Sequence, residues 1–202
     1  MSKIWFSSDL HFGHNREFLY VPRGFTSIEE HDETVIENWN SVVSPEDEVY
    51  ILGDLILNDN EHGFECIQKL NGWKHIILGN HDTDNRIHYY WQLDKILCNQ
   101  FADRLIYKSE PTKRKYTFYL SHYPTMTSNM DNGAPISQHI INLSGHTHSK
   151  SKFYNEMPFI YNVALDAHNN YPVEIEKIIQ DIINKVEELF NSDESLKTLG
   201  DK

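Results

Sequence analysis

Six apolar runs of strand length recur along the chain, at 4–7, 49–52, 75–78, 117–120, 140–143 and 159–165, and nearly every one runs into a polar or glycine cluster. Helical patterns separate the first three runs, which predicts βαβ-type connections and a buried sheet with a parallel portion. The clusters at the strand ends are Asp9-Leu10-His11, Gly53-Asp54, Gly79-Asn80-His81-Asp82, Ser121-His122 and Gly145-His146-Thr147-His148. In open α/β sheets ligands bind just beyond the carboxyl ends of the strands, so five clusters dispersed along the chain can meet in one site.

The helical segments carry their own signals. From 28 to 43 the apolar positions Ile28, Val35, Ile36, Trp39, Val42 and Val43 follow the 3.6 period, with Thr26 or Ser27 as cap and Glu29 or Glu30 completing a capping box. A second helix is expected at 61–70, stopped by Gly72, and a third at 174–190 with an amphipathic stripe from Ile175 to Leu189. The aromatic stretch 84–97 reads as a helix or an irregular cap. Two strands flank a turn at 110–113, so that half is expected to be antiparallel. The segment 125–138 reads as a loop, and 191–202 as a polar tail that frays. At 202 residues the expectation is one domain over 1–202, with its core at about 3–175.

Composition narrows the chemistry. Lys and Arg total 18 against 30 Asp and Glu, and the resulting charge of −12 repels a polyphosphate backbone, so long nucleic acid is disfavoured as a partner. No apolar run approaches the roughly 20 residues of a membrane span, and the start of the chain lacks the pattern of a secretory signal; a cytoplasmic location is expected. Twelve histidines stand beside only two cysteines, Cys66 and Cys98, which lack CxxC spacing and, as lone thiols, are read as buried small apolar residues. The chemistry therefore belongs to imidazole and carboxylate.

Asp9 and His11, two apart on an extended run, point to the same side and can share a metal; His146 and His148 repeat the spacing. Carboxylate, amide oxygen and imidazole without thiolate form a ligand set for Mn²⁺, Fe, Zn²⁺ or Co²⁺. Gly53, Gly79 and Gly145 allow the sharp turns that present the next side chain.

In this order the clusters resemble the calcineurin-like metallophosphoesterases, with their Asp-x-His, Gly-Asp, Gly-Asn-His-Asp, isolated His and Gly-His-x-His pattern. The resemblance implies a four-layer α/β/β/α sandwich with two mixed sheets holding two divalent metal ions, Mn²⁺ first among them, with Fe, Zn, Co or Ni also suited. It implies that Asp9, His11, Asp54 and His148 bind one ion, and that Asp54 bridges to a second completed by Asn80, His122 and His146. His81 would be the catalytic histidine near the leaving group, and Asp82 the carboxylate that orients it.

The chemistry this implies is hydrolysis of a phosphoric ester by attack of a metal-bridging hydroxide. Two ions about 3.5–4 Å apart suit an in-line displacement, and two ligand carboxylates leave about +2 of their charge to bind the phosphate. Asp54 is followed by Leu55-Ile56-Leu57-Asn58 and His81 by Asp82, which departs from the protein phosphatase pattern. The run Asp9 to Asn15, Trp39-Asn40, Asn162 to Asp166 and Tyr171-Pro172-Val173 look like small bacterial and phage phosphoesterases, with a phosphodiesterase favoured over a protein phosphatase. His14, Arg16 and Arg23 are candidates for contact with a small phosphorylated substrate. The alternatives are a metal-dependent nuclease and a binding scaffold without catalysis. His31, His62, His75, His88, His139 and His168 have no motif partner and are read as structural or surface residues.

Overall fold

The computed structural model describes residues 2–127 and 134–192. Two mixed β-sheets face each other and are flanked by helices. The first sheet has the order β4-β3-β2-β1-β9, built from β1 (Ile4–Ser7), β2 (Glu48–Leu52), β3 (Trp73–Ile77), β4 (Ile96–Gln100) and β9 (Val173–Glu174). Strands β1 to β4 are parallel, and β9 closes the edge antiparallel to β1. The second has the order β5-β6-β7-β8, from β5 (Ala102–Lys108), β6 (Lys115–Ser121), β7 (Ile140–Ser144) and β8 (Ile160–Asn162). Its hairpin β5–β6 is antiparallel as expected, but β6, β7 and β8 run parallel, because the chain crosses over between them instead of turning back.

Side-chain alternation splits the interior in two. Trp5, Val49, Ile51 and Ile76 face α2 (Ile28–Val42), α3 (Asn60–Gln68) and α4 (Asp84–Tyr90), where Trp39 is fully buried. Phe6, Tyr50, Leu52 and Ile77 face the other way, onto Tyr116, Phe118, Leu143 and Tyr161 of the second sheet. Strands buried on both faces read in sequence as continuous apolar runs, which is why these were legible. Helix α5 (Ile175–Ser192) inserts Ile175, Ile178, Ile179 and Ile182 into the second core. It also ties both edges of the second sheet: the Tyr107 hydroxyl donates to Glu176 and the Tyr161 hydroxyl to Asp181.

Helix α2 begins with the expected box. Glu30 N–H donates to Ser27 Oγ at 3.2 Å, and Glu30 Oε2 reaches back to Thr26 N–H at 2.8 Å, an arrangement worth about 1 kcal/mol. The 84–97 stretch resolves into α4 followed by β4. A four-residue helix α1 (Glu17–Tyr20) interrupts the loop after β1, and 159–165 shortens to β8 and a 3-10 turn at Leu165–Ala167. Residues 128–133 of the expected loop and 193–202 of the expected tail lie outside the described residues, as does the side chain of Cys98; Cys66 is buried, as read.

Candidate metal centre

The strands β1, β2, β3, β6 and β7 deliver all five clusters to one end of the two sheets. Backbone bonds knit the loops together: Asp9 N–H donates to Gly53 C=O, His11 N–H to Asp54 C=O and Gly145 N–H to His122 C=O, each at 3.0 Å. Five residues of the clusters take left-handed backbone, Asp9 (φ 56°), His11 (50°), Asp54 (58°), His146 (69°) and His148 (48°). Such conformations are costly for non-glycine residues and gather at functional sites.

Two groups of donor atoms result. In the first, His11 Nε2 and His148 Nε2 face each other at 3.2 Å, with Asp9 Oδ1 at 3.8 and 3.7 Å from them. In the second, His122 Nε2 lies 3.0 Å from Asn80 Oδ1, 3.2 Å from His146 Nδ1 and 3.4 Å from Asp54 Oδ2. Asp54 Oδ2 is also 3.8 Å from His11 Nε2, so it faces both groups.

The residues present fit divalent cations. Asp9 Oδ2 accepts from Ser8 Oγ at 2.6 Å and His146 N–H at 2.9 Å, whereas Asp9 Oδ1 is buried without a hydrogen bond among the described residues and points at the two imidazoles. A buried carboxylate oxygen left so costs free energy unless a cation meets it. Burial pushes the Asp9 carboxyl up, against the pull of His148 and His122, and pushes the His11 imidazole well down. At His122 burial is outweighed by Asp54 and Asp9, which hold the imidazole up to about 9; the same partnership outweighs burial at Asp54 and holds its carboxyl down to about 2. A metal here therefore competes with a proton on His122.

The rings are oriented from behind. His122 Nδ1–H donates to Leu52 C=O at 2.8 Å, leaving Nε2 for the site. His148 Nδ1–H donates to Asp166 Oδ2 at 3.2 Å. Asp166 carried no role in the sequence reading, yet it closes the strand-end cluster after β8, which is the signal that could have found it.

Close packing explains the glycines better than turning does. Of Gly53, Gly79 and Gly145, Gly53 alone has positive φ, at +91°. A Cβ at Gly79 would press on Asp54 Oδ1, and one at Gly145 on Ser8 Oγ and Asp9 Oδ2, so both are needed to let the carboxylates approach.

A cavity of about 580 Å³ opens over the donors, lined by His11, His14, His81, His146 and His148 and by the apolar Phe18, Leu19, Pro22 and Leu57. His81 N–H donates to Asp54 Oδ1 at 2.8 Å, and its ring stands edge-on to His11 at 5.7 Å. His14 is held down to about 4 by burial and by the charges of His81 and Arg16.

Three expectations need correction. Asp82 is not aimed at the His81 ring among the described residues; its oxygens accept from the N–H groups of Gly79 (2.7 Å), Asp54 (2.8 Å) and Leu55 (3.3 Å) and from Tyr90 Oη (2.6 Å). It fixes the backbone that presents Asp54. Arg23 does not reach the cavity either: its side chain is 1% exposed, donates to both oxygens of Asp166 (3.1 and 2.8 Å) and to Asp9 C=O (2.8 Å), and meets His31 Nε2 at 2.9 Å. Arg16 is exposed and is not among the residues lining the cavity.

Two mixed sheets flanked by helices, with histidines and carboxylates converging at their strand ends, have the fold of a metallophosphoesterase sandwich. No family model matches the chain. Relatives place it more narrowly. It is 31% identical over 191 residues to the protein MJ1445 of Methanocaldococcus jannaschii, covering 89% of this chain and 91% of that one. It is 30% identical over 203 residues to the gene 66 protein of Mycobacterium phage D29, covering 90% and 98%. The chain belongs to the family of these archaeal and phage proteins. In fold it matches the protein AQ665 from Aquifex aeolicus, with a TM-score of 0.61 at 22% identity over 89% of this chain and 99% of that one.

Proposed function

We propose that the protein is a metal-dependent phosphoesterase that hydrolyses a small phosphodiester or phosphomonoester. The observation that carries the proposal is Asp54 Oδ2, which faces both donor groups at 3.4 and 3.8 Å and so suits a bridging ligand between two divalent ions. Asp9, His11, His148 and Asp54 would hold the first ion, and Asp54, Asn80, His122 and His146 the second; Mn²⁺ suits the oxygen and nitrogen donors, as do Fe, Zn, Co and Ni. Two ions at such a site activate the nucleophile and clamp the phosphoryl oxygens of an in-line displacement.

The chain's own residues do the rest. His81, which borders the cavity beside His11, would give a proton to the departing alkoxide oxygen. His14, which also lines the cavity, would meet a phosphoryl oxygen. Phe18, Leu19, Pro22 and Leu57 offer an apolar surface to the organic part of the ester. The charge of −12 favours small substrates over polyanions.

Hydrolysis of bis-p-nitrophenyl phosphate by the Mn²⁺-loaded protein tests the reading. Turnover is expected in the wild type and a loss of about 10²–10⁴ in rate in His81→Ala, the usual contribution of a positioned acid. No turnover with any divalent metal would overturn the proposal, and turnover unaffected by His81→Ala would remove His81 from its role.

A further inference from the structure

A second group of donors lies outside the proposed centre, between α2 and α3. Asp32 Oδ2, His62 Nε2 and Cys66 Sγ lie within 4.8 Å of one another. His62 and Cys66 are one helical turn apart and share a face of α3, opposite Asp32 on α2. The imidazole nitrogen is 2.9 Å from the carboxylate oxygen and 3.5 Å from the sulfur. With zinc bond lengths near 2.1 Å to N and O and 2.3 Å to S, tetrahedral geometry requires about 3.4 Å for the N···O edge and about 3.6 Å for the N···S edge. The sulfur edge is already right. The oxygen edge needs an opening of about 0.5 Å, within reach of a small rotation of His62, which is half exposed.

We propose that Asp32, His62 and Cys66 form a separate site for a single thiophilic divalent cation of the Zn²⁺ class. Asp32 Oδ2 already takes the Gly13 N–H at 3.0 Å, and Asp32 Oδ1 takes His31 Nδ1–H at 2.7 Å, so the carboxylate is held in place facing His62 Nε2 and the Cys66 thiol. One cation satisfies all three donors at once. Thiolate, imidazole and carboxylate together select zinc over magnesium, calcium or manganese. His31 behind Asp32 fixes the carboxylate, the usual support for a ligand. The site has a solvent side at His62, which lines a cavity of about 800 Å³ together with Gly13, Asn15, Glu29, Asp59 and Glu61; an ion and a water for a fourth position would arrive from there.

Binding breaks the Cys66 S–H bond, releases its proton to solvent and changes no oxidation state. Burial and the neighbouring Asp32 push that thiol up to about 12, so the ion must displace a proton that is firmly held. Occupancy would pin α2 to α3 and, through the Gly13 N–H, to the loop that carries Asp9 and His11.

Cobalt reports on the site because sulfur is absent from the proposed dinuclear donor set. Titrating Co²⁺ into the EDTA-treated protein is expected to give a near-ultraviolet thiolate-to-cobalt charge-transfer band whose final intensity corresponds to one thiolate-bound ion per chain, cobalt in the dinuclear centre adding nothing to it. The band is lost in Cys66→Ser, retained in Cys98→Ser, shifted to higher cobalt in His62→Gln, and removed by Zn²⁺. His62→Gln keeps the measurement meaningful if Cys66→Ser folds poorly, since its side chain is half exposed. Absence of the band at saturating cobalt, or its persistence in folded Cys66→Ser, overturns the proposal. Neither result depends on whether the protein hydrolyses phosphoesters.

Discussion

His168 allows a prediction with a worked magnitude. Its Nε2–H donates to Asn162 C=O at 2.8 Å, its ring leans on Tyr161 at 5.7 Å, and burial, opposed by that hydrogen bond, holds the imidazole down to about 4. In the unfolded chain the same group titrates near 6.5. The folded protein therefore refuses a proton that the unfolded chain accepts, and stability falls as pH drops from about 6.5 to about 4. Each pKa unit is about 1.36 kcal/mol, so the full loss is about 3.4 kcal/mol, and about 2 kcal/mol of it is reached by pH 5. The assay is urea unfolding of the EDTA-treated protein at about pH 7.5 and about pH 5, in wild type and His168→Gln. Glutamine keeps an N–H donor for Asn162 and removes the titration. The packing cost of the substitution is the same at both pH values and cancels, as do the contributions of His11, His14 and His31. Wild type should lose about 2 kcal/mol more than the variant between the two conditions. An equal loss in both chains refutes the reasoning.

Asp166→Asn keeps the shape and removes the charge that orients His148 and pairs with Arg23; metal affinity by calorimetry should fall about 10–100-fold, and an unchanged affinity would show that His148 needs no support. Gly145→Ala drives a methyl group against Ser8 Oγ and Asp9 Oδ2, so metal binding should weaken with a destabilisation of about 1–3 kcal/mol in chemical unfolding; a variant that keeps both refutes the close-packing account of this glycine.

What could be read in the sequence follows the physics of each element. Val49 to Leu52 and Ile76 to Leu78 are buried on both faces of a parallel sheet, so they stand out as apolar runs, and α2 advertises its start through Ser27 and Glu30. Edges do not advertise themselves: in β4 Leu97 is exposed, and β9 is two residues that become a strand only by pairing with β1. The convergence of the five clusters was legible because strand ends are loops, where polar groups have no reason to cluster except to act. The direction in which a side chain turns was not. Asp82 and Arg23 are the residue types a phosphate site uses, yet tertiary contacts with Tyr90 and Asp166 turn them into supports for the backbone behind it.

The left-handed residues carry a consequence for the family's history. His146 is exposed, and its left-handed backbone costs about 1 kcal/mol that a glycine would shed. Asp9 and Asp54 differ, because their carboxylates also hold Ser8 Oγ, His146 N–H and His81 N–H, so a glycine at either costs more than it sheds. In a relative that no longer needs the donors, His146 is therefore expected to be the first to go and the two carboxylates the last.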